Sequence, residues 1–233
     1  MNQKILQILK NLITNHTTSV RVNKINKYGN LRSGLALQTL LKYYKFDTIL
    51  DIGSGAGDHA RIFKDAGKNV TTIDYGLSKY YNKRRNNYKN IFSDYNSYSF
   101  ESQFDCIWAS HILEHQINPG IFLKKIHNDL KERGILSITI PPLKDQIVGG
   151  HVTLWNAGIL IYQLVLAGFN CRNISIIKYD YNISIILKKE TIPKLPNLHF
   201  DNGDIDRLKN YFPKQYSNEA FNGDIELLNW PGL

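Results

Sequence analysis

Residues 47–58, DTILDIGSGAGD, constrain this chain more than any other stretch. A short apolar run passes straight into three glycines at alternate positions, Gly53, Gly55 and Gly57. The spacing of HARIFKDAG then predicts a helix closed by Gly67, and NVTTIDYG reads as a second strand. A strand, a helix and a strand in immediate succession call for parallel pairing with a right-handed crossover. The alternation continues with NIFSDY as a third strand and FDCIWAS as a fourth. PGIFLKKIHNDLKERG reads as a helix capped by Gly134, and ILSITIPP as a fifth strand. TLWNAGILIYQLVLAGF predicts one more helix, and NISIIKYD with NISIILKK reads as two strands in hairpin-like succession around residues 179–181. The expected class is α/β, a mostly parallel sheet with helices on both faces.

The flanks are different in character. Ile5, Leu6, Ile8, Leu9, Leu12 and Ile13 predict an amphipathic helix over residues 2–13, and Leu35, Leu37, Leu40 and Leu41 predict another over 33–44. Residues 1–45 are therefore expected to pack as helices on a core domain spanning 46–190. Residues 191–233 are expected to fold over it as an appendage. That tail carries a partial echo, NGDIDRL and NGDIELL, each with an Asn-Gly turn and an Asp suited to cap a short helix. At 233 residues and 42% hydrophobic content the chain can bury one sizeable core.

Cys106 and Cys171 each lie within an apolar run, which reads as buried thiols in a reducing compartment rather than a disulfide. Lys10 and Asn11 interrupt the N-terminal apolar spacing before a signal-peptide core forms, and no apolar run is long enough to cross a bilayer. A cytoplasmic protein with no membrane partner is expected. The net charge of +9 favours anionic partners, whether nucleic acid, a nucleotide-linked sugar or a glycan, and does not choose among them. Nothing in the residues specifies an oligomeric state.

Glycines between a strand and a helix let the backbone approach a ligand closely and turn into the helix N-terminus. Asp74 ends the next strand, where a carboxylate can accept both hydroxyls of a ribose. The glycines run G-x-G-x-G, not the G-x-G-x-x-G of dinucleotide-binding folds.

With DIGSGAG, IDYG, SDY and FDCIWASHILEH in this order and spacing, the chain resembles the class I S-adenosylmethionine-dependent methyltransferases over residues 45–190. The resemblance implies a Rossmann-like, seven-stranded, mostly parallel sheet and S-adenosylmethionine as cofactor. It implies that Asp51 and the backbone of Gly53, Ser54, Gly55, Ala56 and Gly57 hold the methionine moiety, and that Asp74 takes the ribose hydroxyls. Tyr75 would lie beside the adenine, Asp94 with Tyr95 at its edge, and Ala109, Ser110 and His111 beside the sulfonium.

Just beyond the fourth strand, SHILEHQINP places His111, Glu114 and His115 at i, i+3 and i+4, which on a helix share one face. His-x-x-Glu-His is also the inverted zinc-protease motif, but here it follows a cofactor site of another kind. Three roles remain open: capping and packing, a general base among His111, His115 and His151, or a divalent-metal site of His111, Glu114, His115 and His151. The metal role rests on similarity to small-RNA terminal 2′-O-methyltransferases and ubiquinone-pathway O-methyltransferases, which hold magnesium through Glu-x-x-Glu-His here. This chain has His111 for the first Glu, and nitrogen for oxygen favours Mn²⁺, Fe²⁺ or Zn²⁺ over Mg²⁺.

His151, with two glycines before it and Trp155 after it, suggests an aromatic-walled acceptor pocket. The fourth-strand tip reads ASHI rather than the Asn-Pro-Pro-Tyr element of base N-methyltransferases, and IPPL follows the fifth strand instead. The basic stretch KYYNKRRNNYK, residues 79–89, reads as a solvated face or a nucleic-acid contact. The expected function is O-methyl transfer to a hydroxyl of a sugar or related small metabolite. The alternatives are a metal-assisted RNA 2′-O-methyltransferase and a non-catalytic cofactor-fold partner of another enzyme.

Overall fold

The computed structural model describes residues 27–81 and 89–233. The helix expected over residues 2–13 and most of the basic stretch 79–89 lie outside the described residues. Helix α1 (Gly34–Tyr43) precedes β1 (Thr48–Ile52), α2 (Asp58–Asp65) and β2 (Asn69–Asp74). Then come β3 (Lys89–Phe92), β4 (Phe104–Ser110), α3 (Pro119–Asp129), β5 (Leu130–Ile140) and α4 (Ala157–Leu166). The chain closes with β6 (Ser175–Tyr179), β7 (Asn182–Lys188), α5 (Asp204–Leu208) and β8 (Leu227–Leu228).

One sheet runs in the order β3-β2-β1-β4-β5-β7-β6-β8. From β3 to β5 the pairing is parallel, and from β5 through β7 and β6 to β8 it is antiparallel. Seven strands were expected; the eighth is the short β8, which the tail adds through Ile176↔Leu228 and Ile177↔Leu227.

Strand alternation divides the core. On β4, Cys106 and Trp108 face the cluster built with Leu35, Leu37 and Leu40 of α1 and Phe63 of α2. Ile107 and Ala109 face the opposite cluster, with Phe122 and Leu123 of α3 and Leu160 and Ile161 of α4. Covered on both faces, the central strands read as nearly unbroken apolar runs. The order in which the chain adds strands reverses between β1 and β4, so the loops leaving those two strands flank the crevice at the switch point, where open α/β sheets bind ligands.

Two local expectations are corrected. Helix α3 stops at Asp129, well short of Gly134. Lys189 Nζ donates to the carbonyls of His127 and Leu130 at 2.6 and 2.8 Å, filling acceptors that the helix end leaves open, and Leu130 already pairs with Phe104. Gly134 instead serves the bulge between Phe104 and Cys106, where a Cβ would lie 2.8 Å from the Lys131 carbonyl and 3.0 Å from that of Asp105. In the tail, NGDIDRL does form a helix, α5, whose last residue, Leu208, enters the core together with Phe212 beyond it. NGDIELL does not: Asp224 pairs with Lys178 at 2.7 Å and the segment runs extended into β8.

Candidate active site

The crevice begins at the glycine turn. Gly53, Gly55 and Gly57 all take positive φ, at 69°, 50° and 81°, with Ser54 and Ala56 between them half-buried. Gly53 meets a second demand, since a Cβ there would sit 2.8 Å from Ile112 Cδ1, in the loop after β4. The two loops of the switch point therefore touch at a place where only hydrogen fits. Asp51 is buried one residue from the end of β1.

The Asp74 carboxylate closes the turn, with Oδ2 accepting the Gly55 N–H at 2.9 Å and Oδ1 the Gly76 N–H at 2.8 Å. Tyr75 is exposed beside it and hydrogen-bonds to Asp94. Burial first, then this carboxylate, pushes the phenol up from its usual range. Tyr95 does not join them. Its ring is buried against Phe122 in the core and its hydroxyl donates to Asp129 Oδ2 at 2.9 Å, so its side chain packs against α3.

At the tip of β4, Ala109 is fully buried and Ser110 Oγ lies 2.6 Å from Ser33 Oγ. His111 leaves the strand with φ 52°, and only a single 3₁₀ turn, Leu113–His115, separates it from the loop before α3. The one-face helical geometry expected of His111, Glu114 and His115 is thus absent, because a left-handed residue breaks the helical path at its start.

Hydrogen bonding separates the three histidines. Asn182 Oδ1 accepts the Ser33 N–H at 3.1 Å, which fixes that atom as the amide oxygen; His111 Nε2, at 2.9 Å from it, must donate. The other nitrogen, Nδ1, faces Glu114 Oε1 at 3.2 Å, so both ring nitrogens are engaged. His111 has no lone pair to spare. His115 has one: its Nδ1 lies 2.6 Å from the Gly150 carbonyl, which can only accept, so Nε2 is the open acceptor, 4.0 Å from Glu114 Oε1. A backbone carbonyl that fixes the tautomer is the usual support of a histidine acting through its far nitrogen.

The His151 ring stands edge-on to that of His115 at 4.9 Å, because Val152 N–H and Thr153 N–H bind the Glu114 carbonyl and lay this loop across the turn. Burial lowers the His151 imidazole from its usual range. The charges of His115 and His111 act the same way, and that of Glu114 opposes them.

Glu114 is buried to 1% side-chain exposure, and its Oε2 has no hydrogen-bond partner among the described residues. Glu114, His115 and His151 each bring one ligand-type atom to within 4.8 Å of the others, and His111 is outside this group. A cavity beside them is lined by Pro142, Lys144, His151, Trp155 and Tyr181. Ser33, Tyr181 and Asn182 were not legible from sequence, since no motif surrounds them and each meets the β4 tip only across the fold.

A methyltransferase-domain family profile matches residues 24–172, which include the glycine turn, Asp74 and the β4 tip. The chain belongs to the class I S-adenosylmethionine-dependent methyltransferase family.

The (S)-coclaurine N-methyltransferase of Papaver somniferum is 30% identical to this methyltransferase over 100 residues, covering 39% of this chain and 28% of that enzyme. The chain thus spans under a third of the curated relative it matches. Among solved structures, the 1,6-didemethyltoxoflavin-N1-methyltransferase of Burkholderia thailandensis superposes with a TM-score of 0.57 at 15% identity, covering 81% of this chain and 90% of that one. A SAM-dependent methyltransferase of Archaeoglobus fulgidus gives 0.56 at 17% identity, over 66% and 93% of the two chains. At these identities the likeness is one of fold. No helix among the described residues is long and apolar enough to cross a membrane.

Proposed function

We propose that this methyltransferase transfers a methyl group to a hydroxyl of a small metabolite, a sugar or a nucleotide-linked sugar, with His115 as general base. The observation that carries the reading is the 2.6 Å contact of His115 Nδ1 with the Gly150 carbonyl, which in the neutral ring leaves Nε2 its lone pair beside the buried Glu114 carboxylate. An amine acceptor has little use for such a group, whereas an alcohol is a poor nucleophile until its proton is taken.

The glycine turn fits the cofactor. Its backbone excludes a side chain at Gly53, and the Asp74 carboxylate can exchange its backbone N–H partners for ribose hydroxyls. When bound, S-adenosylmethionine supplies an electrophilic methyl group whose bond to sulfur breaks as the acceptor oxygen forms its own. His115 Nε2 takes the hydroxyl proton, and Glu114 faces the resulting imidazolium. His111 positions Glu114 from the other side and is held by Asn182. Residues 46–190 supply the cofactor turn and the His115 base of this reaction, and the buried thiols Cys106 and Cys171 suit a reducing cytoplasm.

A metal-assisted version is favoured by one specific observation, the buried Glu114 Oε2 without a partner next to two imidazoles. Two nitrogens and one carboxylate suit Mn²⁺, Fe²⁺ or Zn²⁺ better than Mg²⁺. The test couples transfer from labelled S-adenosylmethionine to a panel of sugars, sugar nucleotides, amines and short RNAs with calorimetric titration of Mn²⁺ and Zn²⁺ into protein saturated with S-adenosylhomocysteine. Label on a sugar hydroxyl that is lost in His115→Gln is the expected outcome. Label on amines alone would refute the hydroxyl reading. Metal binding abolished by His151→Ala and spared by His111→Asn would select the metal-assisted form.

A further inference from the structure

At the mouth of the site two cations share one aromatic ring. The guanidinium carbon of Arg32 lies 4.7 Å from the centre of the Tyr181 ring and Lys144 Nζ lies 4.4 Å from it, both within cation–π range. The same ring stacks on His111, with centroids 6.0 Å apart and planes 8° from parallel. Three separate parts of the fold meet here: the segment before α1, the loop after β5 and the turn between β6 and β7.

The meeting is built rather than incidental. The Arg32 carbonyl accepts a hydrogen bond from His59 Nε2 at 2.9 Å, and the next residue, Ser33, is tied by its N–H to Asn182 and by its hydroxyl to Ser110. Lys144 and Tyr181 line the same cavity as His151 and Trp155.

Among the described residues Arg32 and Lys144 enter no ion pair, although Asp145 and Asp180 are their chain neighbours or those of Tyr181. Holding two like charges on one ring is electrostatically unfavourable unless an anion joins them. Arg32 offers a planar fork and Lys144 a mobile point charge, a combination suited to phosphate or carboxylate oxygens.

We propose that Arg32 and Lys144, gathered on Tyr181, form a subsite for the anionic group of the acceptor, a phosphate or carboxylate carried by a small molecule. This rests on the proposed hydroxyl methyl transfer with His115 as base, and takes the cavity lined by His151, Lys144 and Tyr181 as the acceptor's way in. The subsite would hold the acceptor by its charge at the mouth and leave its hydroxyl free to reach His115.

The test uses the full chain. Inorganic pyrophosphate and, separately, succinate are titrated calorimetrically into protein saturated with S-adenosylhomocysteine, for wild type, Arg32→Gln, Lys144→Gln and Arg32→Lys. S-adenosylhomocysteine affinity is measured for each variant in parallel. The expected result is saturable binding of one probe, weakened about tenfold or more in each Gln variant and less in Arg32→Lys, with S-adenosylhomocysteine affinity unchanged. Pyrophosphate as that probe makes the group a phosphate, and succinate makes it a carboxylate.

Equal binding in wild type and both Gln variants, or no binding of either probe, would overturn the subsite. Tight binding of a single-stranded RNA with a steep salt dependence, weakened by the same Gln variants while both small probes fail, would overturn the small-molecule assignment in favour of RNA. Failure of wild type to bind S-adenosylhomocysteine would strike at the cofactor site itself and is read independently of the anion result.

Discussion

Replacing Gly53 with alanine tests whether the two switch-point loops are interlocked as described. Gly53 has φ 69°, and an added Cβ would lie 2.8 Å from Ile112 Cδ1 and 3.0 Å from Cγ1. The left-handed backbone costs a non-glycine residue about 1–2 kcal/mol. Forcing the added methyl against Ile112 costs roughly 1–3 kcal/mol more, as overpacking does. Gly53→Ala is thus expected to lose about 2–5 kcal/mol, a sizeable part of the ~5–15 kcal/mol typical of a domain. Truncating Ile112 separates most of the two costs, because Ile112→Ala removes the two closest atoms, keeps only Cβ at 3.3 Å and leaves φ unchanged. In the double variant most of the packing cost should go, giving a coupling of about 1–3 kcal/mol in a double-mutant cycle. Urea denaturation supplies the free energies, and calorimetry with S-adenosylhomocysteine reports whether the cradle survives. Additivity of the two substitutions to within about 0.5 kcal/mol, or undiminished ligand affinity in Gly53→Ala, would refute the interlock.

The other predictions concern the histidines and one buried lysine. His115→Gln should lower kcat by about 10²- to 10⁴-fold with little change in stability. His111→Asn, which tolerates the left-handed backbone, should instead cost roughly 1–3 kcal/mol in denaturation, as Asn182 and Glu114 each lose a partner. His59 accepts the Trp108 indole N–H on Nδ1 at 3.2 Å, and burial lowers its pKa below the ordinary 6.5. A folded pKa below the unfolded one means that its stabilisation is present above about pH 6.5 and is lost as pH falls through the folded value. Burial lowers His127 as well, so His59→Gln should flatten the acid limb of the stability profile only in part. Lys189→Met should destabilise by about 1–3 kcal/mol in thermal or urea denaturation, since the carbonyls of His127 and Leu130 lose their buried donor.

What the chain's one-dimensional pattern determines is what local physics governs. Unbroken apolar runs, alternate glycines and a carboxylate at a strand end announce β1, the turn and Asp74, because a positive φ and a two-residue period leave their mark on adjacent positions. The order of strands and helices was legible for the same reason.

The limits of that pattern lie where distant segments decide the outcome. Helix α3 ends where Lys189 supplies its cap, a residue 62 positions beyond His127. Tyr95 turns into the core because Asp129 and Phe122 receive it there. The trio after β4 has helical spacing, yet the left-handed φ of His111 undoes the face that spacing implies. Asn182, 71 positions from His111, and Gly150, 35 positions from His115, then set which imidazole keeps a lone pair. Sequence alone supplied the residue types for a base, a carboxylate and a cofactor turn. Only tertiary packing, which brings remote donors and acceptors within 3 Å of those side chains, set their hydrogen-bond partners apart.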